Sequence, residues 1–318
     1  MTLKKYLWPV VGAATIAVCA WLLYKELRGL SLDDVWESLA AISHTHWVLS
    51  GLCTLVAYAA LAGYDRIALM HLGRKIDWWF ITICSFTTYA LSHNVGASVV
   101  SGAVVRYRAY SSKGLTPAEI GILIAVCSFT FMLGTLLLAG LVLVIEPELT
   151  ERFGDLVPVE ASAVTGFVIL GLVALYVVAS FMKLKPIKLG SINIFYPAPR
   201  VVIPQLIIAP VELIGAAGII YFALPEAGNP GFLVVMGIFL ISFSAALLSH
   251  APGGLGVLEL VFVMGLPDMD PADVIAALLV FRLFYLIIPF VMALVVILVF
   301  ERSQFRRNNP PDMRRGET

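Results

Sequence analysis

The uncharged stretches of this chain are too long to be packed inside a soluble globule. Residues 161–182 hold no Asp, Glu, Lys or Arg, and Pro117–Ile145 holds only Glu119. About 20 apolar residues let an α-helix cross the hydrocarbon core of a bilayer. The backbone finds no water there, so every N–H and C=O must be satisfied within the segment, as a helix does. Residues 47–70, 201–224 and Pro271–Phe300 are also long and apolar, with one or two charged residues each. Residues 7–24, behind Lys4 and Lys5, are likewise apolar; no small-x-small cleavage site follows, and this run reads as an uncleaved first span.

Composition agrees. Hydrophobic residues make up 60 % and charged residues 13 %, against about 25 % charged in a soluble domain. A disordered chain, a secreted disulfide scaffold and a nucleic-acid-binding domain are excluded. Cys19, Cys53, Cys84 and Cys127 all lie within apolar runs and form no CxxC pair; they read as small packing residues. No HExxH, GxSxG or GxxxxGK[ST] pattern occurs, so the sequence calls for no cofactor, metal or nucleotide.

Charge placement supplies orientation. With both termini cytoplasmic, all of the 21 basic residues except Lys25, Arg28, Arg152 and Arg282 fall in inside loops. Asp33, Asp34, Glu146, Glu148, Asp155, Glu226, Asp268 and Asp270 fall outside. This is the positive-inside pattern of a multi-pass protein of the cytoplasmic membrane. Residues 25–46 place Leu32, Val35, Trp36, Leu39 and Ile42 on one helical face and Asp33, Asp34 and Glu37 on another, as an interfacial amphipathic helix does.

Two apolar runs are interrupted, at Ser92-His93-Asn94 and at Ser249–Gly254. The charges put both ends of the first run inside and both ends of the second outside. Each reads as a re-entrant hairpin, although paired short crossings satisfy the charges equally well. The breaks resemble each other: residues 85–96 and 242–253 share six of twelve identities at a shift of 157. Thr116-Pro117-Ala118-Glu119 recurs as Asp270-Pro271-Ala272-Asp273. The expectation is an all-α protein of about six full spans and two opposed hairpins, arranged as an inverted-topology repeat within one membrane domain over 1–302. Repeat one covers about 47–145, repeat two about 200–300, and 303–318 form a basic cytoplasmic tail. In transporters, repeats of this kind bring broken helices together near the midplane, where substrate binds.

Several residues are candidates for function. Pro252, Gly253, Gly254 and Gly256 stop a helix, and the next helix offers the positive end of its dipole to an anion; a structural bend is the alternative. Glu212, Glu259 and Arg282 lie inside spans, where ionisable groups face a partner or a cavity. An Arg282–Glu259 or Arg282–Glu212 pair fits as well as ligand contact. Arg282 and Tyr285 share a helix face. Arg106, Arg108 and Tyr110 lie at the inner interface, either as anchors or as a guanidinium fork for phosphate. Asp65-Arg66 reads as a boundary pair. His93 and His250 occupy matched break positions, with Asn94 and Gly96 beside the first.

The run His250–Glu259 resembles the PGG-x-G-x-x-E signature of the lysylphosphatidylglycerol synthase transmembrane family. Gly96–Gly102 with Arg106 and Tyr110 is similar to that family's first motif, and Arg282 with Tyr285 to its last. The resemblance covers roughly residues 5–302. It implies the flippase domain that, in multiple peptide resistance factor proteins, moves aminoacylated phosphatidylglycerol between leaflets. Those proteins continue into a soluble aminoacyltransferase domain, whereas about 18 polar residues follow Phe300 here, so the resemblance does not imply lysine transfer. The expected partner is a membrane lipid with an anionic headgroup, with a second copy or a lipid-pathway enzyme as further candidates. A membrane-bound transferase acting on a lipid or polyprenyl-phosphate carrier, and a non-transporting partner protein, are the competing readings.

Overall fold

The computed structural model describes residues 31–95, 98–156, 163–182, 187–189, 192–194, 196–249 and 252–308. The expected first span, His250 and Gly96 lie outside them. Helix α1 (Leu32–Ala41) opens on a capping box: Ser31 Oγ accepts from Asp34 N–H and Asp34 accepts from Ser31 N–H. The Ser31 backbone N–H bond holds the Asp34 carboxyl below its ordinary range. The helix exposes Leu32 and Trp36 and turns Leu39 and Ile42 to the core.

The remaining described helices are α2 (His44–His71), α3 (Trp78–Val95), α4 (Ser98–Ser111), α5 (Pro117–Ile145), α6 (Ala163–Phe181), α7 (Pro199–Ala223), α8 (Phe232–Ser249), α9 (Val257–Gly265), α10 (Pro271–Phe281) and α11 (Ile288–Asn308). A 3₁₀ segment (Pro147–Leu156) follows α5, and a π-helical turn (Arg282–Ile287) joins α10 to α11. Six helices are long and apolar enough to cross a membrane: α2, α5, α6, α7, α8 and the rod Pro271–Phe300. The protein is a helical, multi-pass membrane protein. One short antiparallel hairpin, β1 (Ile187–Leu189) with β2 (Ile192–Ile194), is the exception to helix among the described residues, with Lys188 opposite Asn193.

The breaks sit later than the sequence suggested. Helix α3 runs through Ser92-His93-Asn94 to Val95, and Ser92 Oγ and Asn94 Nδ2 find partners within it by donating back to the carbonyls of Thr88 and Ala90. The second break continues past Gly254 to Gly256, and α9 begins at Val257. Helix α11 continues to Asn308, beyond the end of its apolar run.

Both interrupted segments fold back on themselves, and their open ends lie at opposite ends of α5. Near the α5 N-terminus, Phe80 at the start of α3 meets Tyr110 at the end of α4, 5.9 Å between ring centroids. Lys113 covers the Phe80 ring, and Arg74 pairs with Glu119, the capping-box residue of α5. Beyond the α5 C-terminus, the 3₁₀ segment touches both arms of the second hairpin. Leu149 lies against Gly237 in α8, Phe153 against Gly265 at the end of α9, and Arg152 bonds Asp268 at 3.4 Å.

The centre is the crossing of α2 with α7. Each lacks a side chain where the other approaches. A Cβ on Gly215 would lie 2.9 Å from the Cys53 carbonyl oxygen and one on Gly63 2.7 Å from Ile208. Apolar transfer drives no helix association within lipid, so close packing of small residues carries this contact. Gly215→Val is expected to destabilise the protein by about 1–3 kcal/mol through overpacking; an unchanged melting temperature in detergent would refute the close contact.

Candidate functional site

Three buried polar clusters lie on this frame. In the first, Asp65 of α2 is 0 % exposed. Its Oδ1 accepts from Arg106 Nη2 at 2.6 Å, and its Oδ2 accepts from Tyr110 OH at 2.7 Å. Cys127 Sγ approaches Oδ1 at 3.4 Å, and the Arg106 guanidinium lies over the Tyr89 ring, 4.9 Å from its centroid. Asp65 is therefore an interior ion-pair partner, not half of a boundary pair with Arg66. Arg106 and Tyr110 face inward together, whereas Arg108 is exposed. Residues two apart on a helix point to different faces, so the structure does not bring Arg106 and Arg108 into one fork.

The second cluster is the break before α9. Gly253, Gly254 and Gly256 all have positive φ, 58°, 64° and 80°, a conformation that strains residues with a Cβ. The turn exposes the Gly253 carbonyl, which accepts from Arg282 Nη1 at 2.9 Å. Glu259 fills the position where an external anion was expected. Its Oε2 accepts from the Gly256 N–H at the α9 N-terminus at 2.9 Å, and its Oε1 accepts from Arg282 Nε at 2.7 Å and from Nη2. Arg282 and Glu259 side chains are 12 % and 15 % exposed, in contrast to the sealed Asp65–Arg106 pair.

The third cluster surrounds Glu212 of α7, which is 2 % exposed. Of the two sequence alternatives, Arg282 pairs with Glu259 and not with Glu212. Two phenols serve Glu212 instead: Tyr285 OH donates to Oε1 at 2.6 Å and Tyr64 OH to Oε2 at 3.4 Å. His93 stacks on Tyr285, centroids 5.1 Å apart and planes 17° apart. Its Nδ1 is buried without a hydrogen-bond partner.

The second and third clusters share the π-helical turn. A π turn inserts a residue into the helical ladder and shifts the backbone hydrogen bonds. Here the Tyr285 carbonyl accepts from Tyr58 OH at 2.9 Å, and the Leu286 carbonyl from Asn94 Nδ2 at 3.0 Å. The tips of both hairpins thus meet one turn, through Asn94 from the first and Gly253 from the second. Rings extend the connection to the first cluster, since Tyr89 lies 5.8 Å from His93. Sequence reasoning missed Asp65 as the Arg106 partner and Tyr58, Tyr64 and Tyr89 altogether. The two-residue spacing of Arg106 and Arg108 could have separated those arginines; nothing local marks the tyrosines. Among the described residues no group of His, Cys, Asp and Glu is arranged to hold a metal.

These features define a class: a multi-pass helical protein with opposed broken hairpins and charged groups meeting inside the bundle. The lysylphosphatidylglycerol synthase TM region matches residues 10–293, and the chain belongs to that family. It is 30 % identical over 302 residues to the uncharacterized protein slr0712 of Synechocystis, covering 93 % of this chain and 92 % of that protein. It is 27 % identical to the inner membrane protein YbhN of Escherichia coli, covering 88 % of each. It is also 29 % identical to a phosphatidylglycerol lysyltransferase of Staphylococcus haemolyticus, covering 88 % of this chain but 32 % of that longer protein.

Proposed function

We propose that this protein is a lipid translocase of the cytoplasmic membrane, carrying an anionic or aminoacylated phospholipid between leaflets. One observation carries the reading: Arg282 and the Gly256 amide already hold an anion, the carboxylate of Glu259. A phosphate accepts from the same donors. The headgroup phosphate takes the place of Glu259, the acyl chains remain in lipid, and return of Glu259 releases the headgroup. The family and the phosphatidylglycerol in the names of the longer relatives support a phosphatidylglycerol-class substrate.

The hairpins serve as re-entrant segments, the first open to the cytoplasm and the second to the outside, with both termini cytoplasmic. The length of one arm supports this. Helix α9 has nine residues, about 14 Å at 1.5 Å per residue, half of a hydrocarbon core. It is followed within three residues by Asp268, which is exposed and paired with Arg152. The extent of the membrane domain, 1–302, and its repeats at about 47–145 and 200–300 belong to the same reading.

Vesicles containing the purified protein are expected to move labelled phosphatidylglycerol between leaflets faster than protein-free vesicles. Glu259→Gln removes the charge that competes for Arg282. It is expected to tighten phosphatidylglycerol binding by at least about tenfold, the lower end of the 1.5–3 kcal/mol scale for hydrogen bonds to charged groups. Equal binding in both proteins would refute the exchange.

A further inference from the structure

Of the three carboxylates just described, buried Asp65 and Glu212 and part-buried Glu259, two pair with arginines. Asp65 has Arg106 and Glu259 has Arg282. Glu212 forms no ion pair among the described residues, although it is the carboxylate placed on the central helix α7. Among the described residues, the groups that bond it or pack around its tyrosine partners are neutral or already engaged. Helix α2 brings Tyr58 and Tyr64, the latter beside Asp65, which is held by Arg106. The π turn brings Tyr285. Helix α3 brings Tyr89 and His93 through their ring contacts with Tyr64 and Tyr285. Helix α5 brings Cys127 beside Tyr64. Helix α8 brings Phe239 and Phe243, without charge.

An uncompensated carboxylate in such surroundings costs several kcal/mol. Two hydroxyl donors, one at 3.4 Å, do not offset a full charge. A proton does, and it is the smallest cation that needs no added ligands. A protonated Oε2 donates to the Tyr64 phenol oxygen, while Oε1 keeps the bond from Tyr285. The His93 Nδ1, on a ring stacked on Tyr285, adds a second buried polar atom without a hydrogen-bond partner beside this cluster.

We propose that Glu212 is a proton-binding site, and that its occupancy is coupled through the Arg282–Ile287 turn to the grip of Arg282 on Glu259. Tyr285 and Arg282 are three residues apart on that turn. One holds Glu212, and the other holds Glu259 and the Gly253 carbonyl. Loss of the proton leaves a negative charge on Glu212 that tightens its hold on the Tyr285 hydroxyl and pulls on the turn carrying Arg282. The proton comes from bulk water and returns to it, so no oxidant or co-substrate enters. The coupling rests on the translocase reading; the proton site itself does not.

The test has two arms. In an ester-free detergent at neutral pH, infrared spectroscopy of the wild type is expected to show the carbonyl stretch of a protonated carboxyl group. Glu212→Gln is expected to abolish it. Should that variant fail to fold, Tyr285→Phe keeps the acid but removes its shortest hydrogen bond, and the band is expected to shift. Absence of the band in the wild type, or a band unmoved in every folded variant, overturns the proton site whatever the protein transports.

In the second arm, vesicles carry labelled phosphatidylglycerol with and without an imposed pH difference. The wild-type rate is expected to follow the difference by up to about tenfold per pH unit, the limit for one proton, and Glu212→Gln is expected to lose that dependence. A wild-type rate indifferent to pH sinks the coupling and leaves the translocase standing. No movement under any condition sinks the translocase and the coupling with it, while the infrared band still decides the proton site.

Discussion

Asp65→Ala is expected to destabilise the protein by about 3–5 kcal/mol, the scale for removing one partner of a buried ion pair. Asp65 is fully buried, and the Arg106 side chain is 7 % exposed. Removal of the carboxylate leaves a guanidinium with the Tyr89 ring but no counter-charge, and it also orphans the Tyr110 hydroxyl. The cost comes from the stranded charge more than from lost attraction. The double replacement Asp65→Leu with Arg106→Met is therefore expected to recover most of the loss, since well-packed apolar residues often equal a buried pair. Thermal unfolding in detergent measures both. Cys84 and Cys127 are buried beside this cluster, so their labelling by a thiol reagent during heating reports local opening. A single variant as stable as the wild type would show that the pair is not sealed from solvent.

Arg282→Ala is expected to abolish lipid movement. Arg282 ties the π turn to the glycine turn, through the Gly253 carbonyl and the Glu259 carboxylate. Its loss removes the proposed phosphate contact and frees Glu259 to repel an incoming anion. Each hydrogen bond to a charged group is worth about 1.5–3 kcal/mol, or roughly tenfold to a hundredfold in affinity. Arg282→Lys keeps the charge but reduces the planar fork to one point donor, so partial activity is expected. Vesicle assays with all three proteins measure this, and full movement in the alanine variant would remove Arg282 from the headgroup site. The two arginine clusters are expected to separate here, Asp65→Ala changing melting and Arg282→Ala chiefly the proposed transport.

The fold was largely legible because its information is one-dimensional. Span length and apolarity mark α2, α5, α6 and α7 directly. The site was legible only in part. Pro252 to Gly256 announce a turn, since positive φ demands glycine at successive positions. Glu259 and Arg282 were legible as one of two possible pairs, but nothing in the sequence says that Glu259, three residues past Gly256, also folds back to cap its own helix. The Asp65–Arg106 pair spans 41 positions and the Tyr285–Glu212 bond 73; such pairings are made by helix crossings that no local pattern records. The π turn is equally silent; the side chains that meet its carbonyls come from α2 and α3, far off in the sequence.

Helix α6 gains a meaning from what it fails to bury. Only Gly166, Val173 and Ser180 are buried, while Val164, Phe167, Val168, Leu172, Leu175 and Val178 face outward. On the proposed topology each repeat makes two full crossings, α2 and α5 in the first, α7 and the α10–α11 rod in the second. Two is an even number, and a tandem duplicate of an even unit would enter the membrane the same way up as its parent. The single crossing between them changes the parity. Helix α6 is thus the span that turns the second copy over, and what it must preserve is its count of one rather than a partner surface.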